Sequence, residues 1–220
     1  MQTSKKSQQL SLVIAILCCI VLPLIGYIKI GLPPVIIVGG SAILAFFLWY
    51  FTYLKHPVEP EVILPLFIFT VAGLQTHIIE EYLSGFGPAM SRLFDIPWSE
   101  RSFLMVFALV GPTIYTLTTW GLYKKLPLAG FVACFIFIGP GVAEFTHFIF
   151  PLISPRLEPD NVNSISREIK GVQINSMPNY YYKTTHSYYF AGMYTAILPM
   201  VPGIYAIRRL IRVRQTDKRN

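Results

Sequence analysis

The chain has 220 residues, of which 54% are apolar and only 13% charged, against about a quarter charged in ordinary soluble domains. With a mean hydropathy of +0.54 and 15% aromatics, it reads as neither a soluble domain nor a disordered chain. The three cysteines, Cys18, Cys19 and Cys134, are too few to staple it and lie in apolar runs, where they read as small hydrophobes. The net charge of +7 falls between and after the hydrophobic segments, as the bilayer surface would place it.

A membrane-crossing helix needs about 20 mostly apolar residues, and six windows qualify. They run near 10–28, 34–54, 62–84, 102–123, 127–150 and 188–207, which predicts an all-α, multi-pass transmembrane helical bundle forming a single membrane domain. The first window follows Lys5 and Lys6, yet is too long and lacks the small-residue cleavage site of a signal peptide. The connections carry proline, glycine and charge: Lys29 to Pro34, Lys55 to Glu61, Gly85 to Arg101, and Lys124 to Pro127. In the third of these, Trp98 reads as an interfacial anchor and Ser99-Glu-Arg as the start of the next helix. His56 reads as a solvated loop residue.

With the N-terminus inside, the cytoplasmic segments hold Lys5, Lys6, Lys55, Lys124, Lys125, Arg208, Arg209, Arg212, Arg214, Lys218 and Arg219. That is 11 of the 18 Lys and Arg, which places both termini in the cytoplasm. The expected partner for this charge is the lipid bilayer. No basic helix face or stacking module points to nucleic acid. The outer loop 152–186 is the longest connection, holding Arg156, Glu158, Asp160, Arg167, Glu168 and Lys170 before the run Asn179-Tyr-Tyr-Tyr-Lys-Thr-Thr-His-Ser-Tyr-Tyr. Its length makes it a candidate lid, and its tyrosines equally suit an interfacial belt.

The informative ionisable residues are those inside the windows. The third contains Gln75-Thr-His77-Ile-Ile-Glu80-Glu81, and the fifth contains Glu144-Phe-Thr-His147. An ionised group near mid-bilayer costs on the order of 2.5–3.5 kcal/mol, so these five are expected to pair, protonate or bind something. Helical spacing places His77, Glu80 and Glu81 on one face, and Glu144 and His147 one turn apart. Counting from the inner ends of their helices, His77 lies roughly 22 Å and Glu144 roughly 25 Å up. Both clusters therefore reach the outer half, where His186 precedes the sixth window.

Three imidazoles and three carboxylates at one level suit zinc or iron, with His77, Glu80, Glu81, Glu144, His147 and His186 as candidate ligands. His77, Glu80, Glu81 and His147 are also the candidate catalytic residues. They would act on a hydrophobic small-molecule substrate, lipid- or isoprenoid-like, with one carboxylate as general base. Without a metal, the same groups offer acid/base isomerase or cyclase chemistry. A proton- or cation-coupled transporter is a third reading, although no internal repeat is visible. The bland alternative is a buried polar network that specifies helix packing.

The motif His77-Ile-Ile-Glu80-Glu81 resembles the family of HXXEE membrane proteins. Glu144-Phe-Thr-His147 followed by Pro151, and Tyr189-Phe-Ala191-Gly192-Met-Tyr-Thr195 leading to Pro202-Gly203, are similar to that family's later stretches, over roughly residues 65–208. Ala191 stands where the family usually has proline. Ala143 stands where it usually has asparagine, and Glu144 offers a polar group beside it. The resemblance implies a His/Glu site and a metal-dependent enzyme. A more distant similarity, to emopamil-binding sterol isomerases, rests on His77 and Glu81 and implies proton transfer at an isoprenoid double bond.

Overall fold

A computed structural model describes residues 4–157 and 164–217. Glu158 and Asp160 of the outer loop and Lys218 and Arg219 of the tail lie outside the described residues. Among the described residues, five helices are long and apolar enough to cross a membrane: α1 (Lys5–Ile30), α2 (Val35–Thr52), α3 (Pro60–Leu83), α5 (Glu100–Tyr123) and α6 (Pro127–Phe148). Their ends lie within a few residues of the first five predicted windows. Between α3 and α5 lies the short α4 (Phe86–Phe94). A hairpin of β1 (Ser164–Ile169) and β2 (Val172–Pro178), one turn of helix α7 (Tyr182–Thr185) and the final α8 (Ile197–Asp217) complete the chain.

The helix starts follow local chemistry. Ser4 Oγ accepts from the Ser7 amide at 3.2 Å and Ser99 Oγ from the Ser102 amide at 3.3 Å, capping α1 and α5, while Pro60 and Pro127 stand at the starts of α3 and α6, where no amide donor is needed. Much of the outer surface is apolar, with Leu10, Leu17, Phe51, Phe69 and Leu117 exposed, as expected of lipid-facing positions.

Inside, small residues permit close approach, as is usual for packed membrane helices. A side chain at Gly73 of α3 would meet the Leu198 carbonyl of α8 at 2.7 Å. Trp49 Nε1 donates to the Pro127 carbonyl at 2.7 Å, tying α2 to the start of α6. Leu74, Phe67, Phe137, Ala206 and Leu210 belong to the core these contacts enclose.

Three expectations are corrected. First, the chain is not all-α. The outer loop contains an antiparallel hairpin, with Ile169 opposite Val172 across a Lys170-Gly171 turn. Both turn residues have positive φ, 50° and 77°, the geometry that matches the twist of two-residue hairpins. Second, the Gly85–Arg101 connection is not simple punctuation, because Phe86 through Leu93 are all buried in α4 and β2 packs on that helix. Trp98, half-buried beside that helix, packs on Phe86, Phe103 and Phe107.

The third correction concerns the sixth window, which is helical only from Ile197. Tyr188 to Ala196 form an irregular turn, and α8 is not among the helices apolar enough to cross by composition, carrying Arg208, Arg209, Arg212 and Arg214. Non-helical backbone at membrane depth is tolerated where protein covers it. Here Phe190, Ala191, Met193 and Ala196 are buried.

α6 changes winding along its length. It is α-helical to Ile136, widens over Phe137–Gly141 around Gly139-Pro140-Gly141, and tightens to three residues per turn over Val142–Phe148. Pro140 lacks the amide that would continue the regular ladder. The tightened turn eclipses side chains at i and i+3. Glu144 and His147 are therefore aligned in one direction, toward α3.

Candidate metal centre

Four of the six candidate ligands converge. His77 and Glu81 from α3 meet Glu144 and His147 from α6, with one donor atom from each lying within 4.8 Å of the others. Their side chains are 0%, 6%, 16% and 2% exposed in that order. His77 Nε2 is 3.6 Å from Glu81 Oε1 and 3.1 Å from Glu144 Oε2. His147 Nε2 is 3.3 Å from the same Glu81 oxygen and 2.9 Å from the same Glu144 oxygen. Four ligands at about 2.0–2.1 Å from a tetrahedral ion stand about 3.3 Å apart, so the four His–Glu separations are near four of the six edges of such a site, and the other two are no longer than 4.8 Å.

The far nitrogens of both rings are held by acceptors outside the cluster. His147 Nδ1 lies 2.6 Å from the Ala191 carbonyl; a carbonyl only accepts, so Nδ1 carries the proton. His77 Nδ1 lies 3.2 Å from Thr195 Oγ1, and that hydroxyl donates to Glu80 Oε2 at 2.6 Å. With its one proton so used, Thr195 accepts from His77 Nδ1. Each ring therefore turns its Nε2 toward two carboxylate oxygens, offering a lone pair when the ring is neutral and a proton when it is charged. Four electron-rich atoms at these distances need a cation or shared protons among them, and hydrogen bonds of this kind to the outer nitrogen orient metal-binding histidines.

Glu80 does not join the four. Its carboxylate accepts from Tyr189 Oη at 3.1 Å, the Tyr194 amide at 3.3 Å, and the Thr195 amide and hydroxyl at 2.8 and 2.6 Å. These bonds pin the irregular turn that supplies Thr195 and the Ala191 carbonyl, so adjacent carboxylates on one helix have different tasks. His186 lies exposed at the end of α7, outside the group. Glu80→Gln is expected to cost about 1–3 kcal/mol while leaving the content of any bound metal within about twofold, since larger losses arise where a ligand ring loses its own hydrogen-bond partner. His186→Ala should change neither. Thermal unfolding beside elemental analysis would check both, and loss of metal in either variant would return that residue to the ligand set.

Two contributors were not legible as site residues. Gly192 has φ +86°, and a side chain there would meet Glu81 Cγ at 2.7 Å, His77 Cε1 at 2.8 Å and His147 Cε1 at 2.9 Å. Its hydrogen atom leaves the space the two rings occupy. The second is an aromatic wall around His147, with Phe86 of α4 stacked at 5.1 Å and Phe150 and Phe190 at 5.7 and 6.4 Å. The tyrosines of the outer segment close the region. Tyr180 Oη donates to the Ser84 carbonyl at 2.5 Å, and Tyr188 Oη donates to that of Phe148. Burial, with Tyr189 and Glu80 nearby, pushes the Tyr180 phenol up to about 12, so it remains a donor.

Together these features define a mostly helical chain, consistent with an integral membrane protein, with a buried two-histidine, two-carboxylate group able to bind a metal ion. Compared with known protein families, curated proteins and solved structures, the chain matches none.

Proposed function

We propose that the protein is a multi-pass membrane enzyme in which His77, Glu81, Glu144 and His147 hold one zinc or iron ion beside a hydrophobic, lipid- or isoprenoid-like substrate. Both termini are cytoplasmic in this reading, and the turn at Tyr188–Ala196 together with α8 makes the sixth crossing. The observation that carries it is the convergence of two imidazole Nε2 atoms and two carboxylate oxygens in a buried site, with separations of 2.9–3.6 Å. The resemblance to HXXEE membrane proteins supports the same reading.

When bound, such an ion polarises a substrate oxygen or acidifies a water. The chain's own residues do the rest. Thr195 and the Ala191 carbonyl hold the two rings in register, and Phe86, Phe150 and Phe190 keep water from His147. Glu144, the most exposed of the four at 16%, is the carboxylate placed to pass a proton outward.

A second reading keeps protons where the metal would be. The 2.9 and 3.1 Å contacts are also hydrogen-bond lengths, which suits a metal-free acid/base isomerase or cyclase. Elemental analysis of the detergent-purified protein separates the two. The metal reading expects about one zinc or iron per chain, removed by chelation with a fall in melting temperature and restored on reloading. Protein that never retains metal, and whose melting is indifferent to chelator, would leave the proton reading.

A further inference from the structure

From an open cleft beside the metal centre we infer a binding site for a single-chain amphiphile with an anionic head group, such as a long-chain carboxylate. The cleft has a volume of about 430 Å³, within the range of ordinary ligand pockets, about 300–1,000 Å³. Its walls are apolar: Leu32, Ile36 and Ile37 from the α1–α2 turn and the start of α2, Phe94 and Ile96 from the end of α4, and Phe150. Phe150 also belongs to the wall around His147, and Thr146, the residue before His147, lines the same cleft.

Arg156 and Lys170 line it as well, with Asp95 the one carboxylate in its lining among the described residues. Both cations are exposed, with Lys170 at the hairpin turn and Arg156 fixed by its amide to the Leu93 carbonyl of α4 at 3.2 Å. Among the described residues neither is held in an ion pair. Cations above an apolar slot match an anion carried on a hydrocarbon chain, and in the proposed orientation the head group lies at the outer interface. The inference rests on the functional reading only in making this amphiphile the substrate; binding itself does not depend on the metal.

Fluorescence titration in a non-ionic detergent tests it with dansyl-undecanoic acid and dansyl-undecanol. The acid is expected to bind saturably, and the alcohol about tenfold more weakly. Arg156→Ala with Lys170→Ala should reduce the acid to the alcohol's affinity. Ile36→Trp should block both probes, since Ile36 is 64% exposed and a larger ring there fills the cleft without entering the core. Treating the wild-type protein with a chelator should leave acid binding within about twofold, so a failed metal site and a failed cleft give different results. Equal binding of acid and alcohol, or wild-type affinity in the double variant, would overturn the inference. So would loss of acid binding on chelation, which would place the carboxylate on the metal instead.

Discussion

Gly192→Ala is expected to lose the bound metal almost entirely and to destabilise the protein by about 2–5 kcal/mol, combining overpacking with an unfavourable left-handed backbone. The added methyl would stand 2.7–2.9 Å from carbons of Glu81, His77 and His147. Two of these are ring atoms of histidines held from behind by Thr195 and the Ala191 carbonyl, so neither can retreat without giving up a hydrogen bond. Gly31→Ala supplies the control. Gly31 has a similar φ of +92° with nothing within 4 Å, so alanine there incurs backbone strain alone. Metal content and thermal unfolding of the two variants separate strain from collision. A Gly192→Ala protein that keeps its metal would show that the two rings are not held where the hydrogen bonds place them.

His147→Ala should abolish metal retention and leave Glu81 and Glu144 facing each other in a buried site. Removing one partner of a buried charged group typically costs about 3–5 kcal/mol, because the remaining charge is uncompensated. Adding Glu81→Gln and Glu144→Gln to His147→Ala should restore much of the stability without restoring the metal. A structural network predicts the opposite, since each further change would remove another packing-specific hydrogen bond and destabilise further. The comparison is made by unfolding of the single and triple variants with elemental analysis of each. Thr195→Val adds a milder test: with the His77 Nδ1 partner gone, metal affinity should fall about 10–100-fold.

The parts of the site that were readable are those encoded by helical spacing. His77 and Glu81, four apart, and Glu144 and His147, three apart, were each expected to share a face, and the bilayer penalty singled them out. That spacing could not separate Glu80 from Glu81. Both neighbours point to the same side of α3 in a helical projection, and only the position of Thr195 and Tyr189 directs one carboxylate to the turn and leaves the other for the histidines. His186 was brought to the site by assuming that the sixth helix begins at Tyr188. The break before Ile197 removes that assumption. The hairpin had a local signal, alternating Ile165, Arg167 and Ile169 before Lys170-Gly171, but it was hidden by the general expectation of an interfacial loop.

The sequence by itself determined the mostly helical, apolar character of the chain and five of the six expected windows, because hydropathy and length are additive properties of consecutive residues. It also determined the chemical types at the site, since ionisable groups in apolar helices stand out without knowledge of their neighbours. Tertiary structure alone decided which groups meet. The tightened turn after Pro140 aims Glu144 and His147 at α3, the irregular turn brings Thr195 and Ala191 to the backs of the two rings, and Gly192 leaves them room. Those are contacts between segments far apart in the chain, set by packing and backbone geometry that no local periodicity records.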